Sequence, residues 1–276
     1  MISVLILTKN EEQDLPGCLA SVDWCDDVHV FDSLSTDRTV EIAKAAGAQV
    51  TARAFDNWSA HQNWGLANIH FKYPWVLYID ADERVTPELA RNVQEVATGP
   101  SPLSAYRIRR RDFAWNGRWL KHAQISPFYL RLFRPSKMRY ERLVNPVSIV
   151  DGPIGDIEGY LDHYPFSKGI SFWLQRHVRY AEHEARTIAE NSGRPFSLWQ
   201  AFFSLDFTER RFHQKEFFYR LPFRPFVKFF YVFCIRRAFL DGRAGVTYAA
   251  LQSIYEYFIV LKQRECIDRE GRTRGA

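Results

Sequence analysis

The stretch that decides the fold is WVLYIDADE, at residues 75–83. Its apolar first part, from Trp75 to Ile79, is typical of a buried β-strand. The run ends in two carboxylates, Asp80 and Asp82, and a buried carboxylate is costly unless it is paired or binds a metal. Because acids at the carboxyl end of a parallel strand reach the ligand crevice of an open α/β sheet, the stretch predicts a strand-end site. The competing interpretation is a solvated turn that caps the next helix, with Thr86 as the cap.

Two earlier strands are predicted to end in polar residues as well. The apolar runs at 3–7 and 28–31 alternate with helical patterns, which indicates a mostly parallel, doubly wound sheet flanked by helices. Since right-handed crossovers bring the carboxyl ends of such strands to one edge, their polar residues should lie close together. The residues expected at this edge are Thr8, Asn10, Asp32, Asp80 and Asp82.

This edge suits a divalent metal and a phosphate ligand. Carboxylate oxygens are hard ligands, which Mg²⁺ and Mn²⁺ prefer, and a substrate diphosphate can complete the coordination of such an ion. The sequence therefore predicts a metal-assisted nucleotide site at Asp80 and Asp82, with Mg²⁺ or Mn²⁺ as the cofactor.

Charge divides the chain into two parts. Residues 1–100 hold 7 Lys and Arg against 15 Asp and Glu, whereas residues 101–276 hold 30 against 17. The four cysteines form no close pair and no metal-ligand spacing, which favours a reducing compartment. The start of the chain lacks a basic segment, so no signal peptide is expected, and no uncharged stretch of membrane-spanning length is found.

The pattern changes near residue 104. Strands are predicted at 105–110 and 128–133, and a helix is predicted from 167 to 189. The basic run at 107–111 is interpreted as a solvated face. The predicted organisation is a catalytic domain at 1–165, with a nucleotide half at about 1–100 and an acceptor half at about 101–165, followed by a helical region at 166–276.

Three sequence blocks carry a resemblance to a known family. VLILTKNEE at 4–12, VFDSLSTDRT at 30–39 and LYIDADER at 77–84 resemble glycosyltransferase family 2. The resemblance implies a GT-A fold, a nucleotide-sugar donor and, in most members, inversion at the anomeric carbon. RLFR at 131–134 and DHYPF at 162–166 are similar to the lipopolysaccharide-core β-glucosyltransferase branch, as is RHVRYAEHEA at 176–185.

The resemblance also implies roles for single residues. Asp32 would accept a hydrogen bond from the ring N–H of the base, which favours uracil, and Asp82 would bind the metal while Asp80 lies nearer the ribose. The positions implied to bind the nucleotide-sugar are Thr8, Asn10, Glu11, Asp32, Ser33, Gln62, Asn63, Asp80 and Ala81.

The general base is the uncertain part of the predicted site. Inverting transfer needs a base, usually a carboxylate, for the acceptor hydroxyl. Relatives often carry a His-Glu or Glu-His pair after the RLF strand, where this chain reads RLVNPV at 142–147. Glu141 and Asp112 are the nearest substitutes, although Glu141 could simply form a surface ion pair with Arg139 or Arg142. Asp151 and Asp156 are further candidates for the base, and His163 could orient a substrate.

The segment at 217–240 is aromatic and basic. It contains ten Phe or Tyr residues, five Lys or Arg residues and no acid. A helix that begins near Pro225 and lies in the interface of an anionic membrane would explain this composition. The alternative is packing of these rings on the catalytic domain or on a second subunit. A nucleic-acid partner is not expected, because no recognised nucleic-acid module is present.

The expected function is transfer of a single sugar, since the Gln-x-x-Arg-Trp signature of processive synthases is absent. The donor would be UDP-linked and the acceptor a lipid-linked saccharide or lipopolysaccharide core, at the cytoplasmic face of the inner membrane. A polyprenyl-phosphate glycosyltransferase, a sugar nucleotidyltransferase and an inactive membrane-bound assembly partner remain as alternatives, and a homo-oligomer is possible.

Overall fold

The computed structural model describes residues 1–99, 101–141, 147–191 and 195–274, and the chain forms two compact units. Unit 1 consists of Met1–Trp115 and Ser126–Ser167. Unit 2 consists of Asn116–Ile125 and the residues from Lys168 onward. The domain boundary expected after residue 165 stays a prediction, since unit 1 ends at Ser167 and the segment at 116–125, which was predicted in the first domain, belongs to unit 2.

Unit 1 alternates strands and helices from its first residues. Its helices are α1 (Leu15–Ala20), α2 (Thr39–Ala45), α3 (Trp58–Asn68) and α4 (Pro87–Thr98). Its strands are β1 (Ser3–Thr8), β2 (Val28–Asp32), β3 (Gln49–Ala52), β4 (Val76–Asp80), β5 (Glu83–Val85), β6 (Ala105–Asp112), β7 (Phe128–Phe133), β8 (Met138–Glu141), β9 (Val147–Val150) and β10 (Ile154–His163). Among the described residues, eight of these strands form one sheet in the order β3-β2-β1-β4-β7-β6-β10-β5.

The predicted parallel sheet is confirmed. Strands β3, β2, β1 and β4 run parallel, with Thr8 opposite Asp32 and Leu7 opposite Asp80. Strand β7 is antiparallel to both β4 and β6, and it pairs Leu132 with Leu77. The first strands therefore end at one edge, as expected, and β7 brings basic residues of the second half of the unit beside β4.

Apolar residues cover both faces of the sheet. Alternation within β1 sends Val4 and Ile6 to one face, where they pack with Leu15 of α1 and Leu89 of α4. Leu5 points to the other face and packs with residues of β4, β7 and β8. Because the central strands are buried on both faces, they read in the sequence as continuous apolar runs rather than as alternating ones.

The residues after Asp82 form a short strand and then cap a helix. Thr86 caps α4, because its Oγ1 accepts a hydrogen bond from the backbone N–H of Leu89 at 3.3 Å. The cap predicted at Thr86 is therefore confirmed, but the turn before it is not solvated, because Ala81 and Glu83 are buried. Between Asp82 and Thr86, β5 pairs antiparallel with β10 and places His163 opposite Glu83. The sequence pattern did not predict this strand.

Unit 2 is helical. Its helices are α5 (Gly169–Asn191), α6 (Leu198–Phe203), α7 (Phe207–Arg220), α8 (Arg224–Phe230) and α9 (Gly242–Arg274). The helix predicted near Pro225 begins at Arg224, but it gives way to a π-helical turn at Tyr231–Ile235 and a 3₁₀ turn at Ala238–Asp241. In the part of the chain that the structure describes, no helix is both long enough and apolar enough to cross a membrane.

The segment at 116–125 joins unit 2 through one buried carboxylate. Asp241 Oδ2 accepts hydrogen bonds from the backbone N–H groups of His122 and Ala123, at 2.9 and 2.7 Å. Asp241 Oδ1 lies 2.7 Å from His122 Nδ1, and Tyr248 donates to Gln124 Oε1 at 2.6 Å. These contacts explain why the predicted domain limits, drawn as continuous ranges, missed this segment.

Candidate functional site

The first acid of the motif, Asp80, is held from two sides. Its Oδ1 accepts a hydrogen bond from the Tyr78 hydroxyl at 2.7 Å, and its Oδ2 accepts one from Arg131 Nη2 at 2.8 Å. Burial raises the pKa of Tyr78 well above its ordinary value, and the neighbouring Asp80 charge raises it further, so the phenol stays a donor. The Asp80 carboxylate is therefore fixed in one orientation, with its charge balanced by Arg131.

Behind Asp80 lies a carboxylate that sequence reasoning did not assign, Glu83. Its side chain is 0% exposed, and its Oε1 accepts a hydrogen bond from Arg131 Nη2 at 2.7 Å. Its Oε2 accepts one from the backbone N–H of Asp80 at 3.0 Å, and Arg110 Nη1 lies 3.6 Å from Oε1. Although burial lowers the pKa of Arg131, Glu83 and Asp80 raise it well above its ordinary value. Arg131 is therefore a buried cation shared by two acids.

The second acid, Asp82, is connected to a histidine and a third acid. His163 Nε2 lies 3.2 Å from Asp82 Oδ2, and His163 Nδ1 lies 2.5 Å from Asp112 Oδ1. Burial by itself lowers the pKa of His163, but the charge of Asp82 and hydrogen bonds to Asp112 and Asp82 raise it to about 9. The imidazole is therefore protonated at neutral pH and holds the two carboxylates together.

The two predicted bases occupy different environments. Asp112 is 5% exposed and contacts both His163 and Arg110 Nε, the latter at 3.2 Å. Glu141 is 53% exposed and pairs with Arg139 Nε at 3.0 Å, which is the surface ion pair considered from the sequence. Asp151 pairs with Lys137 and Asp156 with Arg107, both at the surface. The departure from the family pattern at 142–147 falls largely on 142–146, which lie outside the described residues.

The basic run at 107–111 is only partly a solvated face. Arg107 pairs with Asp156 at the surface, as predicted. Arg110 is largely buried beside Glu83 and Asp112, and these acids raise its pKa even though burial lowers it. The prediction is therefore wrong for Arg110, because the strand alternation of β6 turns this side chain toward the acids of the site.

The loops after β1 and β2 are joined by hydrogen bonds. Thr8 Oγ1 donates to Asp32 Oδ1 at 2.8 Å, and the backbone N–H of Ser35 donates to Asp32 Oδ2 at 2.7 Å. Asn10 Oδ1 accepts a hydrogen bond from the backbone N–H of Thr36 at 2.8 Å. The backbone N–H of Glu11 donates to Thr39 Oγ1 at 2.7 Å. The structure thus brings the predicted nucleoside residues together, and Asp32 organises the loop in which it lies.

Two residues beside Ser33 were missed from the sequence, Arg53 and His61. Arg53 Nη1 lies 3.1 Å from His61 Nδ1, and His61 Nε2 lies 3.2 Å from Ser33 Oγ. A guanidinium can only donate, so Nδ1 accepts and Nε2 carries the proton toward Ser33. Burial and the charge of Arg53 lower the pKa of His61, which agrees with a neutral ring. Arg53 directly follows β3, so the strand-end rule applied to Asp32 could have found it.

The remaining predicted residues, Asn63, Gln62 and Ala81, lie in three different environments. Asn63 Oδ1 accepts from the backbone N–H of Tyr140 and its Nδ2 donates to the Tyr140 carbonyl, both at 2.8 Å, so Asn63 holds β8 rather than facing the strand ends. Gln62 is buried, and its Oε1 has no hydrogen-bond partner among the residues described. Ala81 packs in the core, and its carbonyl accepts from Arg84 Nη1 at 2.9 Å.

The donor atoms at Asp82 and His163 fit a divalent metal in part. Among the described residues, no three His, Cys, Asp or Glu side chains are placed to hold a metal ion. Asp82 supplies a carboxylate beside the Nε2 atom of His163, which could bind a metal only after losing its proton, and Asp112 lies behind the imidazole. Metal-binding histidines commonly have a carboxylate on the second ring nitrogen, and a diphosphate can supply further oxygens. Asp80 is less available, because Tyr78 and Arg131 hold its oxygens.

Comparisons with known proteins agree with the blocks recognised in the sequence. The chain is 26% identical to the lipopolysaccharide core biosynthesis glycosyltransferase LpsC of Rhizobium meliloti, over 97% of this chain and 96% of that protein. It is 38% identical to an uncharacterized glycosyltransferase of Rickettsia prowazekii, over 39% of this chain and 37% of that protein.

Among solved structures, the chain resembles glucosyl-3-phosphoglycerate synthase from Mycobacterium tuberculosis, a structure with Mn²⁺ and UDP. That similarity covers 40% of this chain and 43% of the other, with 24% identity and a TM-score of 0.34, so it carries no argument about ligands. The profile of Glycosyl transferase family 2 matches residues 3–156. Because this match spans more than half of the sequence, the chain belongs to glycosyltransferase family 2.

Proposed function

We propose that the protein is a metal-dependent, inverting glycosyltransferase that moves one sugar from a UDP-linked donor to a lipid-linked saccharide or a lipopolysaccharide core. The observation that carries the proposal is that β4 ends at Asp80 on the edge where the loops after β1 and β2 begin, and that Asp82, two residues further on, contacts His163. The similarity to LpsC over nearly the whole chain supports the acceptor class. Membership of the family favours this function over a sugar nucleotidyltransferase.

In this proposal, the loops after β1 and β2 bind the nucleoside. Their hydrogen bonds to Asp32 and Asn10 hold the two loops in place, so little conformational entropy would be lost when the nucleoside binds. The neutral ring of His61 orients the Ser33 hydroxyl beside Asp32. This arrangement gives the base a carboxylate and a hydroxyl as hydrogen-bond partners.

Asp82 would hold Mg²⁺ or Mn²⁺ against the donor diphosphate. His163 would join it as a ligand after losing its Nε2 proton to solvent, and Asp112 would fix the ring. A bound divalent ion supplies Lewis-acid stabilisation of the leaving nucleoside diphosphate. Arg131 keeps the Asp80 carboxylate in place and balances its charge, so that Asp80 can accept from a ribose hydroxyl.

Glu141 is the proposed base for the acceptor hydroxyl. Of the two predicted carboxylates it is the one whose side chain reaches solvent, whereas Asp112 is committed to His163 and Arg110. Arg139 Nε lies 3.0 Å from Glu141 Oε1 and would orient this carboxylate. The acceptor proton would pass to Glu141 as the acceptor oxygen attacks the anomeric carbon and the nucleoside diphosphate leaves from the opposite face.

Unit 2 would bind an anionic membrane surface at 217–240 and also through α6. The rings of Trp199, Phe202 and Phe203 on α6 are exposed, and Leu205, which follows them, is 100% exposed. Phe223, Phe226 and Phe230 on and before α8 are exposed as well. Exposed apolar rings near basic side chains are typical of helices that lie in the membrane interface. This placement would put the protein at the cytoplasmic face of the inner membrane, as a peripheral protein.

The proposal is tested with the full-length protein, UDP- and GDP-linked sugars, and Mg²⁺ or Mn²⁺. A UDP-linked sugar should raise the melting temperature only with a divalent ion, and Asp82→Asn should lower metal-dependent UDP release by about a hundredfold or more. Asp26→Asn, at an exposed acid that pairs with Lys72, is the matched control and should act like wild type. Undiminished UDP release by Asp82→Asn would overturn the mechanism, and stabilisation by GDP-sugars alone would overturn the donor.

The acceptor and the membrane are tested separately. Lipopolysaccharide-core and polyprenyl-phosphate acceptors are offered with the same donor, and transfer only to the polyprenyl phosphate would replace the proposed acceptor. The protein should co-sediment with vesicles that contain phosphatidylglycerol, and Trp199→Ser with Phe202→Ser should weaken this association. Equal co-sedimentation of that variant would remove α6 from the proposed surface.

A further inference from the structure

Unit 2 contains a groove between the start of α8 and one side of α9. Its volume is about 770 Å³, which lies within the range of small-molecule sites. Apolar and aromatic side chains line most of it, from both sides. The residues that form these walls are Phe223, Phe226, Ile254, Tyr257 and Val260.

Two arginines line the groove, and because Arg224 is paired with the buried Glu256, the net positive charge of the groove comes from Arg264. Arg224 lines it and is 4% exposed, and Arg264 lines it from an exposed position on α9. Arg224 Nη2 donates to Gln263 Oε1 at 2.6 Å, its Nη1 donates to the Tyr219 carbonyl at 3.3 Å, and its Nε lies 3.2 Å from Glu256 Oε1. Each Nη atom carries two N–H groups, so donors remain on both. Among the described residues that line the groove, none is acidic.

The backbone at the mouth of the groove is strained. Phe223 has a φ of 55° and a ψ of 33°, a left-handed conformation that is unfavourable for a non-glycine residue. The ring that this conformation presents is 77% exposed. A strained residue that holds an aromatic ring in water is unfavourable for the free protein, and such strain is found at ligand sites.

We infer that this groove binds one molecule of an anionic amphiphile, with its apolar chain against the α8 and α9 walls and its anionic headgroup at Arg224 and Arg264. The chain would cover the exposed rings of Phe223 and Tyr257, and the basic lining complements the headgroup. The inference goes beyond general attachment to a membrane surface, because it assigns a single saturable site to unit 2. It does not depend on sugar transfer.

The experiment measures binding of the fluorescent fatty acid cis-parinaric acid to the full-length protein without vesicles. We expect saturable binding at one site, displaced by dodecyl phosphate and less well by dodecanol. Inorganic phosphate alone should not displace it. Displacement by inorganic phosphate as effective as that by dodecyl phosphate would overturn the chain-binding site, and equal potency of dodecanol would overturn the role of the arginines.

Two variants test the location of the site. Ile254→Trp fills the groove from α9 and should lower the affinity for the probe by about tenfold or more, a change equivalent to about 1.4 kcal/mol. Ile235→Trp introduces the same change at a residue that is 71% exposed and does not line the groove, so it should bind like wild type. Phe223→Gly should bind more weakly without loss of thermal stability, since glycine adopts this conformation freely.

The remaining outcomes overturn the inference. Wild-type affinity in Ile254→Trp would place the probe elsewhere. A concentration-dependent dimer that Ile254→Trp dissociates, in a protein that does not bind the probe, would make the groove a contact between two copies. Vesicle co-sedimentation is measured in parallel, and Ile254→Trp should retain it, so that failure of the groove and failure of the membrane proposal are distinguishable.

Discussion

Replacing Arg131 by Met should destabilise unit 1 more than the loss of any surface ion pair would. The Arg131 side chain is 5% exposed and contacts Glu83, which is 0% exposed, and Asp80. Without the guanidinium, Glu83 retains the backbone N–H of Asp80 and an Arg110 nitrogen at 3.6 Å, which compensate its buried charge only in part. Removing one member of a buried ion pair costs about 3–5 kcal/mol, which corresponds to a fall of roughly 10 °C in melting temperature for a protein of this size.

The assay is calorimetric and chemical unfolding of the full chain, with Arg107→Met as the matched control. Arg107 lies on the neighbouring strand and pairs with Asp156 at the surface, so its loss should cost less than about 1 kcal/mol. The double variant Glu83→Leu with Arg131→Met should recover a large part of the loss, because no uncompensated charge stays buried. Equal stabilities of Arg131→Met and Arg107→Met would refute the shared-cation interpretation of this cluster.

Three further predictions concern the base, a buried carboxylate and a half-buried histidine. Glu141→Gln should reduce kcat by about a hundredfold or more while Arg139→Gln has a small effect, and equal losses in both would point to the ion pair instead of a base. Asp241→Ala should raise hydrogen exchange at 116–125 and cost about 2–4 kcal/mol, whereas Asp241→Asn, which keeps an acceptor, should cost less. Burial lowers the pKa of His177 to about 4, although the Trp173 carbonyl opposes this shift and Arg176 adds to it. The unfolded chain therefore binds more protons below about pH 6.5, and stability should fall by about 1–2 kcal/mol between pH 6.5 and 4, allowing for partial exposure. His177→Gln should remove that part of the pH dependence in unfolding curves, and an unchanged slope would contradict the assignment.

The strands β1, β2 and β4 could be predicted because each is an apolar run that stops at polar residues. That local pattern was enough to place Thr8, Asp32 and Asp80 at one edge, as the structure confirms. It needs no knowledge of distant partners, because parallel strands in a doubly wound sheet share their direction.

The interior of the site could not be predicted in the same way. Glu83 reads as part of a helix-capping turn, and Arg110 reads as part of a basic surface strand. They meet at Arg131 because β7 is inserted antiparallel between β4 and β6. His163 reaches Asp112 and Asp82 through the register of β10 with β6 and β5. Asn63 was misplaced for the same reason, since its partner Tyr140 lies 77 residues further along the chain. These contacts depend on strand order, which local periodicity does not contain.

The hydrogen bonds that Asp241 accepts from the backbone N–H groups of His122 and Ala123 also constrain how the chain folds during synthesis. The segment at 116–125 leaves the ribosome more than a hundred residues before Asp241 does. Its backbone donors must stay in water until the beginning of α9 has been translated, even if the strands on either side have already paired. The contacts that hold the segment at 116–125 can therefore form only after residue 241 has been translated, and a chain that stops before it leaves the connection between β6 and β7 without them.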